Sequence, residues 1–183
     1  MRLFAALVPP PEILGELEDF TAPFRARRPD LRWQRRDLLH LTLAFYGEVG
    51  EQTLDRLLPG LERVAADHRR HELSFGGAGA FPGGGAQARV LWTGVQGDRE
   101  ALGRLATAVG TAGAEAGVPR DEHKGFRPHL TLARCRPPAD IRPLIEDMVG
   151  FAGSPWTAGA VSLMRSHQTP QLHYETLKSW PLS

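Results

Sequence analysis

Apolar residues run almost unbroken from Leu3 to Val8 and stop at Pro9-Pro10, a pattern that predicts a short buried strand at the start of the chain. Over residues 12–27 the period changes: Ile13, Leu14, Leu17, Phe20 and Phe24 recur at helical spacing, with acids early and arginines late as a helix dipole prefers. The helical period returns over residues 51–71 through Leu54, Leu57, Leu58, Leu61 and Val64. It returns again over residues 98–116 through Leu102, Leu105, Ala106 and Val109, with Gly117 as the stop. Between and after these helices the pattern predicts strands at 31–34, 40–46, 129–135, 160–165 and 173–180, and a short helix at 141–148. Gly47 is expected to end the second of those strands.

Residues 73–75 and 88–95 read as a hairpin around a glycine-rich loop at 76–85. That loop is not a phosphate-binding P-loop, because no Gly-Lys-Ser/Thr ending and no following helix supply the phosphate contacts. A mobile loop at the rim of a cleft is the expectation. Strand and helix alternation alone permits a parallel α/β sheet as well as an α+β fold.

Five residues decide between them. His40-Leu41-Thr42-Leu43-Ala44 recurs unchanged as His129-Leu130-Thr131-Leu132-Ala133, once in each half of the 183-residue chain. In a strand the His and Thr share one face and the two leucines the other. The duplication favours an α+β fold of two pseudo-symmetric lobes, each a largely antiparallel sheet with outer helices, around a central cleft, over residues 1–183 as one bilobal domain.

Composition narrows the chemistry. The formal charge is +1, from 22 Lys+Arg against 21 Asp+Glu, so no broad polyanion-binding surface is expected. Any nucleic-acid contact falls to local clusters, of which Arg25, Arg27, Arg28, Arg32, Arg35 and Arg36 form one; a solvated basic face is the other reading. The single cysteine, Cys135, excludes an internal disulfide framework and a cysteine zinc cage, and fits a reducing compartment. The opening apolar run is too short for a signal peptide or membrane span, so a cytoplasmic protein is expected. His68 and His71 stand at i, i+3 of the second predicted helix, but no third metal ligand accompanies them.

Two imidazoles in one cleft supply one neutral base and one cationic acid near neutral pH. Opening a ribose 2',3'-cyclic phosphate needs both: a water activated on one side and an alkoxide protonated on the other. No metal or other cofactor is required. Thr42 and Thr131 are placed to hold the non-bridging oxygens and stabilise charge in the transition state.

The chain resembles the two-histidine phosphoesterase superfamily, in particular the bacterial and archaeal RNA 2',3'-cyclic phosphodiesterases also called 2'-5' RNA ligases. The resemblance rests on Arg2-Leu3-Phe4-Ala5-Ala6, the run Leu38 to Gly47, Arg89-Val90-Leu91-Trp92, the run Phe126 to Arg134, and Tyr174-Glu175-Thr176-Leu177. It implies a bilobal fold, hydrolysis to a 2'-phosphate and reversible 2'-5' joining of RNA ends. It also implies His40 as proton donor and His129 as proton acceptor. Other branches of the superfamily act on cyclic ADP-ribose phosphates or 2',5'-oligoadenylates.

Around the motifs, Tyr46 is the expected base-stacking residue and Phe45 an expected core residue. Arg127, two before His129 and held extended by Pro128, is expected to contact a phosphate or tune the histidine. Arg165, Ser166 and His167 are expected at the cleft rim, with His167 a candidate third catalytic group, and His123 and His173 at the surface. RNA ends or cyclic nucleotides are the expected partners, with no membrane and no obligatory protein partner. Two alternatives stand beside the enzyme: an idle RNA-end or nucleotide-binding module, and a metal site built from His40 and His129 with His167 or another side chain.

Overall fold

The computed structural model describes residues 1–120 and 125–183, and the expectation for His123 lies outside them. In chain order the elements are β1 (Arg2–Leu7), α1 (Pro11–Arg27), β2 (Arg32–Trp33), β3 (Leu41–Glu48), α2 (Glu51–Asp67), β4 (His71–Phe81), β5 (Ala88–Gly97), α3 (Arg99–Ala116), β6 (His129–Ala139), α4 (Arg142–Met148), β7 (Trp156–Ala158), β8 (Ala160–His167) and β9 (His173–Pro181). A one-turn 3-10 helix, Arg36–Leu38, leads into β3.

After the exposed Arg2, strand β1 is apolar and buried, flanked on both edges by β3 and by β8. Among the described residues nine strands form one curled antiparallel sheet in the order β7-β4-β5-β6-β3-β1-β8-β9, with β2 clipped onto β6. The α+β class therefore stands, with one continuous sheet in place of two. Nor are the lobes the two halves of the chain. The hairpin β8–β9 returns from the C-terminus to join β1 and β3, leaving β4 to β7 as the other lobe. The sheet passes from one lobe to the other through a single strand pair, Leu41 opposite Leu130, both fully buried.

The helices interlock the lobes. Helix α1 leaves β1 yet ties itself to the segment beside β4: Phe20 stacks on Phe151 at 4.0 Å, Glu16 accepts from the Ser154 amide and hydroxyl, and Arg27 pairs with Asp147. Helix α3 leaves β5 yet packs over β3 and against α2, which lies on β8 and β9. Asp98 caps α3, accepting from the Ala101 amide at 3.1 Å, and Gly117 ends it in the left-handed region, as the sequence predicts. The principal core lies on the helix side of the sheet. A separate small cluster of Phe4, Ala6 and Met164, with Tyr174 against it, lies on the opposite face, apart from the helix-side core of the described residues.

Three expectations are corrected. Helix α2 stops at Asp67, not at residue 71: the His68 amide closes onto the Ala65 carbonyl, and the chain turns so that His71 opens β4. His68 and His71 thus share no helix face, and no group of three His, Cys, Asp or Glu side chains among the described residues is placed to hold a metal. Most of the glycine-rich loop is strand, because β4 runs on to Phe81 through a register break between Gly76 and Gly79. Gly79 is needed there for want of a side chain: a Cβ on it would stand 2.3 Å from the Trp92 indole.

At Gly113 of α3 a Cβ would lie 2.6 Å from the Tyr46 ring, which wedges between β3 and this helix and donates its hydroxyl hydrogen to the Val109 carbonyl at 3.0 Å. Gly113→Val is expected to cost about 2–3 kcal/mol by overpacking, a fall of roughly 5–10 °C in Tm. Gly110→Ala, on the same helix with open space around it, should hold or gain stability. Equal losses in the two thermal melts would refute the wedge.

Candidate active site

The leucines of each motif point to the helices and the His and Thr to the bare face. Leu41 and Leu43 are buried, as are Leu130 and Leu132. The strands β3 and β6 run antiparallel through the Leu41–Leu130 pair, so His40-Thr42 and His129-Thr131 lie diagonally about one point. The two copies lie on one face of the sheet, near enough for the charge of His129 to act on His40.

Each motif strand then departs from strict alternation. Along β1, Ala6 faces Thr42, Ala5 faces Ala44 and Phe4 faces Phe45, so one residue of β3 is extra and the parity flips after Thr42. Phe45 is thereby turned to the His40 face, 75% exposed, with its ring 6.2 Å from that of Phe4. Tyr46 turns inward against α3. Both expectations are reversed: Tyr46 is removed from the substrate-contacting set because its ring and hydroxyl are buried, and Phe45 is the open aromatic. The second copy has the same irregularity, with Trp92 facing Thr131, Leu91 facing Ala133 and Val90 facing Arg134. Arg134 therefore occupies in β6 the place of Phe45 in β3, five residues after its histidine. Sequence reasoning missed Arg134, although the two copies first diverge at this position, Phe in one and Arg in the other.

Both imidazoles are held in one tautomer. Nδ1–H of His40 donates to the Leu38 carbonyl at 2.8 Å, and Nδ1–H of His129 donates to the Arg127 carbonyl at 2.6 Å. A carbonyl only accepts, so each neutral ring presents a bare Nε2 to the cleft. Nε2 of His40 accepts from the Thr42 hydroxyl at 2.8 Å. Behind His40 stand Phe4 at 4.8 Å and Tyr174 at 5.2 Å between ring centroids; behind His129 stand Phe81 at 4.9 Å and Trp92 at 6.4 Å.

This setting disfavours imidazolium. Burial is the main cause that pushes His40 down to about 4, opposed by the Leu38 hydrogen bond and aided by the charges of Arg134 and His129. Burial also lowers His129, again opposed by its backbone hydrogen bond and aided by Arg134. Two depressed histidines and a guanidinium make a site in which a bound anion would restore the protons.

Arg127 lies beside the second motif with its guanidinium 5.8 Å from the Phe81 ring centroid, while its carbonyl orients His129. Thr131 is half-buried on the His129 face. His167 is bound elsewhere: its Nε2 meets Glu175 at 2.7 Å and its ring stacks on His173 at 4.7 Å, at the end of the β8–β9 hairpin. That placement removes it from the metal reading with His40 and His129.

The family model described as the 2'-5' RNA ligase superfamily matches residues 9–170. The chain belongs to the 2'-5' RNA ligase superfamily. Among superfamily relatives, the RNA 2',3'-cyclic phosphodiesterase of Archaeoglobus fulgidus is 43% identical over 98 residues, 54% of this chain and 52% of that protein. The one of Thermus thermophilus is 33% identical over 177 residues, covering 93% of this chain and 84% of the relative. The chain spans about half the length of several relatives it matches, including the first of these two. In structure it is similar to Escherichia coli LigT complexed with 3'-AMP, with a TM-score of 0.77 at 25% identity over 100% of this chain and 98% of that one. No helix among the described residues is long and apolar enough to cross a membrane.

Two measurements probe the electrostatics of this superfamily cleft. The folded state holds His40 with a lowered pKa, so it binds fewer protons than the unfolded chain between about pH 6.5 and 4. Stability is present above pH 6.5 and is lost as pH falls, by on the order of 2–3 kcal/mol. Urea melts at pH 7 and 4.5 should show that loss in the wild type and a smaller one in His40→Ala. Arg134→Ala should raise the pKa of both His40 and His129, read from the titration of their ring proton signals; unmoved titrations would place Arg134 outside the cleft.

Proposed function

We propose that this protein hydrolyses RNA 2',3'-cyclic phosphate ends to 2'-phosphates without a metal ion, and that with an RNA 5'-hydroxyl in place of water as the nucleophile the same site joins RNA ends reversibly through a 2'-5' linkage. The observation that carries this reading is the pair of tautomer-locked imidazoles, both presenting Nε2 to a bare face beside Arg134. The relatives named RNA 2',3'-cyclic phosphodiesterase and the neighbour complexed with 3'-AMP support the substrate class.

In the proposed step the anionic cyclic phosphate enters between the motifs and favours a proton on one imidazole. His129 Nε2 takes a proton from water as its oxygen attacks phosphorus. The P–O3' bond breaks, and Nε2–H of His40 delivers its proton to O3'. The product carries a 2'-phosphate and a free 3'-hydroxyl. Thr42, Thr131 and Arg134 hold the equatorial oxygens where negative charge grows, and Phe45 offers its open ring to the base. The assignment of His40 as donor and His129 as acceptor follows the family resemblance. Arg127 acts by orienting His129. Residues 1–183 work as one bilobal unit, with the cytoplasm as the compartment.

His40→Ala and His129→Ala should each lower release of 2'-phosphate from a cyclic-ended oligonucleotide by at least about 100-fold while the fold is kept. Wild-type kcat/KM should follow a bell-shaped pH profile and persist in EDTA. Full activity in either variant would sink the two-histidine mechanism. Tight binding of the oligonucleotide with its cyclic end left intact would favour the idle binding module.

A further inference from the structure

The six arginines upstream of the first motif do not form one basic face. Arg25 donates to Thr21 and to the Gln34 carbonyl, Arg27 pairs with Asp147, and Arg28 with Asp30. Arg35 pairs with Asp37 and reaches the Leu172 carbonyl, and Arg36 pairs with Glu18 and reaches the Pro11 carbonyl. Arg27, Arg35 and Arg36 thus serve as ties between α1, the 3-10 turn, α4 and the β8–β9 hairpin, and Arg25 and Arg28 are engaged along α1 and the turn after it. Arg32 makes no such contact among the described residues.

Its position is set by β2, two residues long and clipped onto β6 outside the main strand order. Trp33 anchors it: the indole N–H donates to the Arg28 carbonyl at 2.9 Å, Arg25 lies over the ring, and Trp33 packs on the core opposite Ala133. Alternation then sends Arg32 to the other face, directly opposite Arg134. Cross-strand partners point to the same side, so Arg32 stands exposed at the cleft rim, one strand spacing of about 4.8 Å from the arginine inside it. Like charges directly opposite each other disfavour strand pairing, and neither arginine makes an ion pair among the described residues. An anion bound across both relieves that repulsion.

We propose that Arg32 and Arg134 form a two-phosphate track, in which Arg134 faces the cyclic phosphate and Arg32 takes the next internucleotide phosphate of the RNA strand. This subsite rests on the hydrolytic reading above and deepens it: the substrate is an RNA of at least two nucleotides, preferred over a cyclic mononucleotide. Arg32 is a specificity residue with no part in proton transfer.

The experiment compares kcat/KM for a 2',3'-cyclic mononucleotide with that for a dinucleotide ending in the same cyclic nucleotide, in wild type, Arg32→Ala and Arg32→Lys. The wild type should prefer the dinucleotide. Arg32→Ala should reduce that preference by about 5- to 10-fold and lower the slope of log kcat/KM against log salt on the dinucleotide by about one, while Arg32→Lys keeps most of both. Circular dichroism melts check that β2 still docks. If the wild type turns over both substrates and the ratio is the same in Arg32→Ala, or if both activities fall together, the subsite is overturned while the proposed function stands. If the wild type turns over neither, the proposed function falls and the subsite with it.

Discussion

Everything in the cleft depends on one contact, the burial of Leu41 against Leu130 where β3 and β6 meet. These side chains carry no chemistry. Their apolar surface has to leave water, and the helix-side core is where it goes. Because alternation is rigid about that point, burying the two leucines forces His40, Thr42, His129 and Thr131 onto the opposite face. A polar residue at position 41 or 130 would lose the core contact and release both motifs together.

The sheet face so exposed is an electrostatic compromise. Aromatic rings behind each imidazole exclude water, and Arg134 adds a positive charge, so both histidines resist protonation in the free protein. The backbone carbonyls of Leu38 and Arg127 work against this by holding each Nδ1–H. The outcome is a pair of preorganised Nε2 atoms beside a guanidinium. On the proposed reading a phosphate diester supplies the negative charge, and affinity and protonation state are then coupled in one cleft.

Much of this was legible in the chain. The helical periods of α1 and α3 place their ends to within a residue, because Pro11, Asp98 and Gly117 are local signals that tertiary packing does not override. The end of α2 was not legible, since no glycine or proline marks a stop between Asp67 and His71, while the turn into β4 is closed by a contact between the Arg70 amide and the distant Ser183 carbonyl. Glycines at 76, 77 and 79 read as a loop because glycine interrupts most strands, whereas here its bareness admits the Trp92 indole. Strand β7 is three residues long, too short for a period to show.

By itself the sequence determined the duplicated His-x-Thr pair, the parity that sets it against the leucines and the α+β class, because these follow from spacing along one strand. Only the tertiary structure decided which neighbours join the site. A register shift after each His-x-Thr turns Phe45 and Arg134 to the cleft and Tyr46 to the core, and a two-residue strand lays Arg32 beside Arg134. Such shifts arise from register between strands far apart in the chain, and alternation within a single strand carries no record of them.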